Sequence, residues 1–242
     1  MPIEPDPTRF VFPDPRLGSG PNGVLGIGGD FSPGTLLAAY RAGIFPWPID
    51  RRTVPWCSPD PRGLLLLDQA PSWSRSVRRA RKRPFRVTAD TAFAEVVAKC
   101  AETREEGTWI LPGLAQGFAT LHELGWAHSV EVWSGDALVG GIYGLAIGRS
   151  FAGESMFHTE TDASKVAYSR LADALHAAGF HFLDTQLPTP HLETLGVRAV
   201  PRDEFLVRLA RARDAPCVFP KLDPSLALGG SNSTLRPSSG ST

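Results

Sequence analysis

Cysteine is scarce in this 242-residue sequence: Cys57, Cys100 and Cys217 are the only three. They are odd in number, far apart and without CxxC spacing, which argues against a disulfide framework and against a zinc site. The six histidines fall singly on different predicted elements, with no HExxH grouping, so no metal is expected. No apolar run approaches the roughly 20 residues that span a bilayer. The opening MPIEPDPTRFVFP has no basic stretch leading into an apolar one. Reduced thiols and a cytoplasmic location, with no membrane partner, are therefore expected. Net charge is also absent, since 25 Lys and Arg balance 25 Asp and Glu, which argues against a protein that coats nucleic acid generally. A nucleotide loop is missing as well. GVLGIGGD, residues 23–30, matches neither GxGxxG nor GxxxxGK[ST], so it reads as a tight turn and no cofactor is expected.

What is present is an ordinary globular composition, 42% hydrophobic and 21% charged, enough to bury one good core or a larger and a smaller one. The first sixty residues are rich in Pro and Gly and read as turns around one short helix. Ser32 can cap that helix, Pro33 suits its first position, Leu36, Leu37 and Tyr40 supply apolar contacts, and Gly43 stands where a helix-ending glycine belongs. WCSPDPRG, 56–63, looks like an irregular joint. Beyond it, Phe93, Val96, Val97 and Cys100, then Leu114, Phe118 and Leu121, fall at helical spacing. SVEVW, ALVGGIYGLAIG and SFAGESMF read as consecutive antiparallel strands. Asp162 then caps a helix closed by Gly179, and HFLDTQL returns as a strand. This order fits an α+β fold: a small N-terminal domain over 1–62, a mixed-sheet domain over 63–220, and a disordered, Ser/Gly/Pro-rich tail over 221–242.

Several local features carry chemistry. Arg75, Arg78, Arg79, Arg81, Lys82, Arg83 and Arg86 put seven positive charges into twelve residues with no acidic neighbour. Such a run repels itself unless a polyanion is near, which favours phosphate binding over a merely solvated face. Trp47, Trp56 and Trp109 stand in Pro- or Gly-flanked segments, where an aromatic either joins the core or stacks on an unpaired base. Glu154 and Met156 in GESMF share one strand face, and alternation puts Asp184 and Gln186 of DTQ on one face too. Polar groups among apolar strand neighbours serve either structural hydrogen bonding or catalysis.

GIFPWP, GTWI, LHELGWAHSVEVW, GESMFH with a following ASK, and DTQLPTPH, in this order over roughly 10–210, resemble the leucyl/phenylalanyl-tRNA-protein transferase family. The resemblance implies a small N-terminal α/β domain followed by an N-acetyltransferase-like, GNAT-type mixed-sheet domain. It implies transfer of Leu or Phe, and sometimes Met, from aminoacyl-tRNA to proteins beginning with Arg or Lys, which creates an N-terminal degradation signal. An aminoacyl ester is already activated, so no enzyme nucleophile is required, only alignment, loss of the amine proton and oxyanion stabilisation.

By the same resemblance Trp47 and Trp109, assisted by Tyr40, hold the tRNA 3′-terminal adenosine. Ile142, Phe151, Met156 and Leu171 line an apolar pocket that excludes Cβ-branched side chains. Glu154 orients amino groups, and Asp184 and Gln186 face the reacting ester and the acceptor amine, the two carboxylates attracting a doubly cationic acceptor. The basic segment from Arg75 through Arg83 contacts tRNA phosphates, and a monomer is expected. Phe118 stands where the family usually has Tyr, Thr189 and Asp162 where Asn is common, and His158 where Ser is more usual. Two rivals are a coenzyme A-dependent N-acetyltransferase, for which no [RQ]xxGx[GA] loop is found, and a non-catalytic RNA-binding module, which leaves Glu154, Asp184 and Gln186 unexplained.

Overall fold

The computed structural model describes residues 1–20, 22–102 and 108–222. Of the tail expected over 221–242, residues 223–242 lie outside the described residues, while Leu222 packs against the core. Among the described residues the fold is α+β, with seven α-helices and two sheets.

The N-terminal segment holds strands β1 (Val24–Ile27), β2 (Phe45–Pro46) and β3 (Pro55–Cys57) in a three-stranded sheet, with helix α1 (Pro33–Arg41) alongside. Ser32 accepts from the Thr35 N–H, Pro33 opens α1, and Gly43 follows it with φ 80°, so the start and stop signals work as read. Two expectations change here. The glycine-rich stretch is a strand, β1, because glycines at φ 61° (Gly23) and 102° (Gly28) bracket rather than fill it. The supposed irregular joint contains β3 and the start of β4 (Arg62–Leu66), whose residues pair on both sides.

The larger sheet runs β10 (Arg198–Val200), β4, β9 (Phe182–Gln186), β8 (Ser150–His158), β7 (Ala137–Ile147), β6 (Ala127–Ser134), β5 (Arg86–Ala89). Only β8 and β9 pair in parallel, because helix α5 (Ala163–Ala177) carries the chain back between them. β7 shows the two-residue period of a strand covered on both faces: Tyr143, Leu145 and Ile147 enter one core, Ile142 and Ala146 the other. The first core packs α3 (Phe93–Glu102) and α4 (Pro112–Glu123) together with α1, and the second packs α5 and α2 (Arg75–Ala80). Gly140 lets α5 approach, since a Cβ there would lie 2.6 Å from that of Ala163. Asp162 sits at the head of α5 in the left-handed region at φ 74° and makes no side-chain cap; it pairs with Lys165 at 2.7 Å instead.

A third cluster lies at the other end of the sheet. Helix α7 (Arg202–Arg213) presents Phe205, Leu209 and Ala212, spaced i, i+4, i+7, to Leu64 on β4 and Phe182 on β9. Burying a side chain the size of Phe205 or Leu209 contributes about 1.5–3 kcal/mol. α7 thereby holds β4 and β9 side by side, which sets the geometry of the site.

Candidate active site

A cleft opens where β9 ends and its pairing with β8 stops, beyond Ala152 and Asp184, while β8 itself runs on to His158. It has two lobes. The first, of about 180 Å³, is walled by Trp47, Trp109, Phe45 and Leu187. The second, of about 280 Å³, is walled by Ile142, Met156, Tyr168, Leu183 and His191. Glu154, Thr185, Gln186, Thr189 and Leu192 line both lobes and form the waist between them. Thr189 caps the short helix α6 (Pro190–Glu193) by accepting from the Leu192 N–H, and so sets the roof.

At the waist Gln186 Nε2 donates to Glu154 Oε1 at 3.1 Å. Simple alternation would send Thr185 and Gln186 to opposite faces, yet both reach the cleft. The register slips opposite Thr185, with Gly63 facing Gln186 and Leu64 facing Asp184. Gln186 then adopts φ 60°, and the Leu187 N–H closes onto the Thr185 carbonyl at 2.7 Å. Such backbone is costly for a residue with a Cβ and is found where surrounding structure imposes it. Gly63 permits it: a Cβ there would fall 2.6 Å from the Leu187 carbonyl carbon.

Asp184 lies beneath this turn, not on the cleft wall. Its carboxylate receives Arg62 Nε at 2.8 Å and Nη2 at 2.7 Å, and the Gln186 N–H at 2.9 Å. Arg62 is itself only 1% exposed. The expected exposure of Asp184 to a cationic acceptor is therefore corrected, because its charge is already matched by a buried guanidinium. Arg62 was not anticipated. An arginine at the head of the strand RGLLL, one glycine before its leucines, was the available signal, since a charge leading a buried strand needs a buried partner.

Glu154 has no such partner. Burial pushes its carboxyl up to about 8; the nearby Tyr40 hydroxyl and Arg62 charge pull it down, and the Asp184 charge adds to the rise. Tyr40 is 3% exposed and stacks edge-on to Phe118. Its hydroxyl lies beside Glu154 and is itself pushed well up by burial, yet it makes no hydrogen bond of good geometry. The structure thus sets Tyr40 under Glu154, outside the lobe that holds Trp47 and Trp109, because α1 turns it into the first core.

The sequence matches the leucyl/phenylalanyl-tRNA protein transferase family model over residues 65–210, and the model of that family's N-terminal domain over 29–60. It is 48% identical over 221 residues to the leucyl/phenylalanyl-tRNA–protein transferase of Anaeromyxobacter dehalogenans (strain 2CP-C), covering 89% of this chain and 94% of that one. The chain belongs to the leucyl/phenylalanyl-tRNA protein transferase family. The transferase of Aromatoleum aromaticum is 52% identical over 193 residues, covering 78% of this chain and 81% of that one. That of Shewanella baltica (strain OS195) is 45% identical over 219 residues, covering 89% and 90%. A solved C-terminal domain of a putative lysylphosphatidylglycerol synthetase from Agrobacterium fabrum overlaps 75% of this chain and 57% of its own at TM-score 0.39 and 9% identity. That likeness is too low to assign a fold.

The remaining residues singled out from this transferase sequence divide by position. Ile142 and Met156 line the second lobe, whereas Phe151 and Leu171 are buried behind it in the second core. Trp56 is a core residue whose Nε1 donates to the Gly28 carbonyl at 2.6 Å. In the basic segment Arg75, Arg78, Arg79 and Lys82 are exposed. Arg83 is exposed as well, although it lies 3.4 Å from Glu160, whereas Arg81 is partly buried and pairs with Asp173 at 2.5 Å. Of the departures from the family pattern, Thr189 caps α6, a task that Asn performs equally well, and His158 Nδ1 lies 3.2 Å from the Ser164 hydroxyl. Phe118 fills the core between Tyr40 and Tyr143.

Proposed function

We propose that this chain moves Leu or Phe, and Met, from aminoacyl-tRNA to the N-terminal Arg or Lys of acceptor proteins, marking them for degradation. The observation that carries the reading is the two-lobed cleft with the Glu154–Gln186 pair at its waist. Trp47 and Trp109 in the first lobe suit the terminal adenosine, by stacking. The apolar second lobe suits an unbranched-at-Cβ side chain, and Met156 lends it adaptability. The ester linking the two then lies at Glu154 and Gln186.

The reaction is aminolysis. The acceptor α-amine attacks the ester carbonyl, a tetrahedral oxyanion forms, and the ribose oxygen leaves with a proton as the new peptide bond is made. One amide hydrogen of Gln186 is committed to Glu154, and the second is left for the developing oxyanion. Glu154, raised to about 8, is matched to an α-amine titrating near 7.7–8.0, which suits it to hold an amino group and take its proton. Asp184 acts through Gln186 rather than on substrate. The exposed cations of α2 hold tRNA phosphates.

The same reading includes a GNAT-type C-terminal domain from residue 63, a small N-terminal domain before it, a monomer and a cytoplasmic location; among the described residues no helix is long and apolar enough to cross a membrane. The test is transfer of radiolabelled leucine from charged tRNA to a peptide beginning with Arg against one beginning with Ala, with acetyl-CoA as competing donor. Label on the Arg peptide alone, and only from tRNA, is expected. Acetylation, or equal labelling of both peptides, would overturn it.

A further inference from the structure

The buried Arg62 is larger in consequence than a structural ion pair requires. Its fork meets Asp184 twice, at 2.8 and 2.7 Å, and Nη1 donates to the Gly43 carbonyl at 3.3 Å. The rings of Phe45 and Phe205 cover the guanidinium, with centroids 4.9 and 4.4 Å away. Planarity, two parallel donors and aromatic stacking are properties of Arg that Lys does not share. Asp184 Oδ1, the atom that takes Arg62 Nε, is also the atom that accepts the Gln186 N–H at 2.9 Å. One oxygen therefore joins the guanidinium to the backbone of the strained residue.

We propose that Arg62 is a positioning residue for aminoacyl transfer: by fixing Asp184 it holds the Gln186 backbone at positive φ, the conformation from which the Gln186 amide reaches Glu154. This rests on the reading of Glu154 and Gln186 given above. Without a rotationally fixed acceptor under its N–H, Gln186 relaxes toward ordinary extended backbone and its side chain leaves the waist. Misplacing a reacting group by about 1 Å lowers a rate by about 10²-fold.

The test is a double-mutant cycle on the single-turnover transfer rate with saturating leucyl-tRNA, using Arg62→Lys, Gln186→Ala and the combination, with Kd for the charged tRNA measured beside it. Arg62→Lys should lower the rate by about 10²-fold with Kd within about threefold of the parent, and should add nothing on top of Gln186→Ala. Additive losses, or a rate that falls only as far as tRNA binding does, would overturn the proposal while leaving the functional reading in place. A Gln186→Ala variant of normal rate would instead remove that reading. If Arg62→Lys does not melt cooperatively, Asp184→Asn, isosteric but uncharged, takes its place in the cycle, and the same outcomes decide.

Discussion

Glu154 and Gln186 meet across adjacent parallel strands, two residues beyond the last regular pair, Ala152 with Asp184, and the amide–carboxyl distance is 3.1 Å. The contact joins a carboxyl with no buried cation of its own to an amide held in strained backbone, and each half yields a prediction.

For Glu154 the sign follows from a carboxyl raised by burial from 4.5 to about 8. Below pH 4.5 folded and unfolded chains both carry the proton; between 4.5 and 8 chiefly the folded chain does. Its contribution to stability is thus fully present below 4.5 and is lost as pH rises through about 8. Relative to Glu154→Gln, the parent should lose on the order of 2 kcal/mol between pH 5 and 8.5, after allowing for partial exposure to the cleft. In activity, kcat/KM should rise with pH and level above about 8 in the parent, and the variant should lack that inflection. An identical inflection in Glu154→Gln would assign it to the acceptor amine.

For Gln186 the positive φ separates stability from activity. Gln186→Gly removes the steric penalty of the left-handed region, about 1–2 kcal/mol, against the greater chain entropy that glycine loses on folding. It should therefore melt no lower than Gln186→Ala, while both lose transfer by about 10²-fold. Thermal melts beside single-turnover assays check this; a glycine variant clearly less stable than the alanine one would mean that the turn is not strained.

Much of this arrangement was legible in the sequence. The α1 caps, the spacing of α3 and α4 and the alternation of β6 to β8 are local signals, and they agree with the fold. Glu154 and Met156 share a strand face as read. What failed was alternation through DTQ, because a bulge at Thr185 is imposed by pairing with Gly63, a residue 122 positions away. Arg62 was only half legible: a charge leading a buried strand called for a buried partner, but that partner, Asp184, is equally distant and no local pattern names it. For Tyr40 the helical spacing was the better guide than the resemblance: it puts the ring on the buried face of α1, with the hydroxyl beside Glu154 and outside the tryptophan lobe.

The two tryptophans of the first lobe give a binding prediction. Trp47→Ala and Trp109→Ala should each weaken binding of an aminoacyl-adenosine fragment by about 5- to 150-fold, the range that 1–3 kcal/mol of stacking implies. Phenylalanine at either position should restore most of it. Fragment binding that survives both alanine changes would place the adenosine elsewhere.

The basic segment divides into cations that hold the fold and cations that face solvent, and salt dependence separates them. Replacing Arg75, Arg78, Arg79 and Lys82 together by Ala should reduce the slope of log K for tRNA against log salt by about 3, if each neutralises one phosphate. Arg81 is different. It shares Asp173 with Trp73, whose Nε1 donates to the other carboxylate oxygen at 2.9 Å, and so it fastens α2 to α5. Arg81→Ala should lower the melting temperature by a few degrees and change the salt slope by less than about 1. A slope that responds to Arg81 as strongly as to Arg78 would mean that tRNA draws this side chain off Asp173, so that binding and the α2–α5 contact compete for one guanidinium.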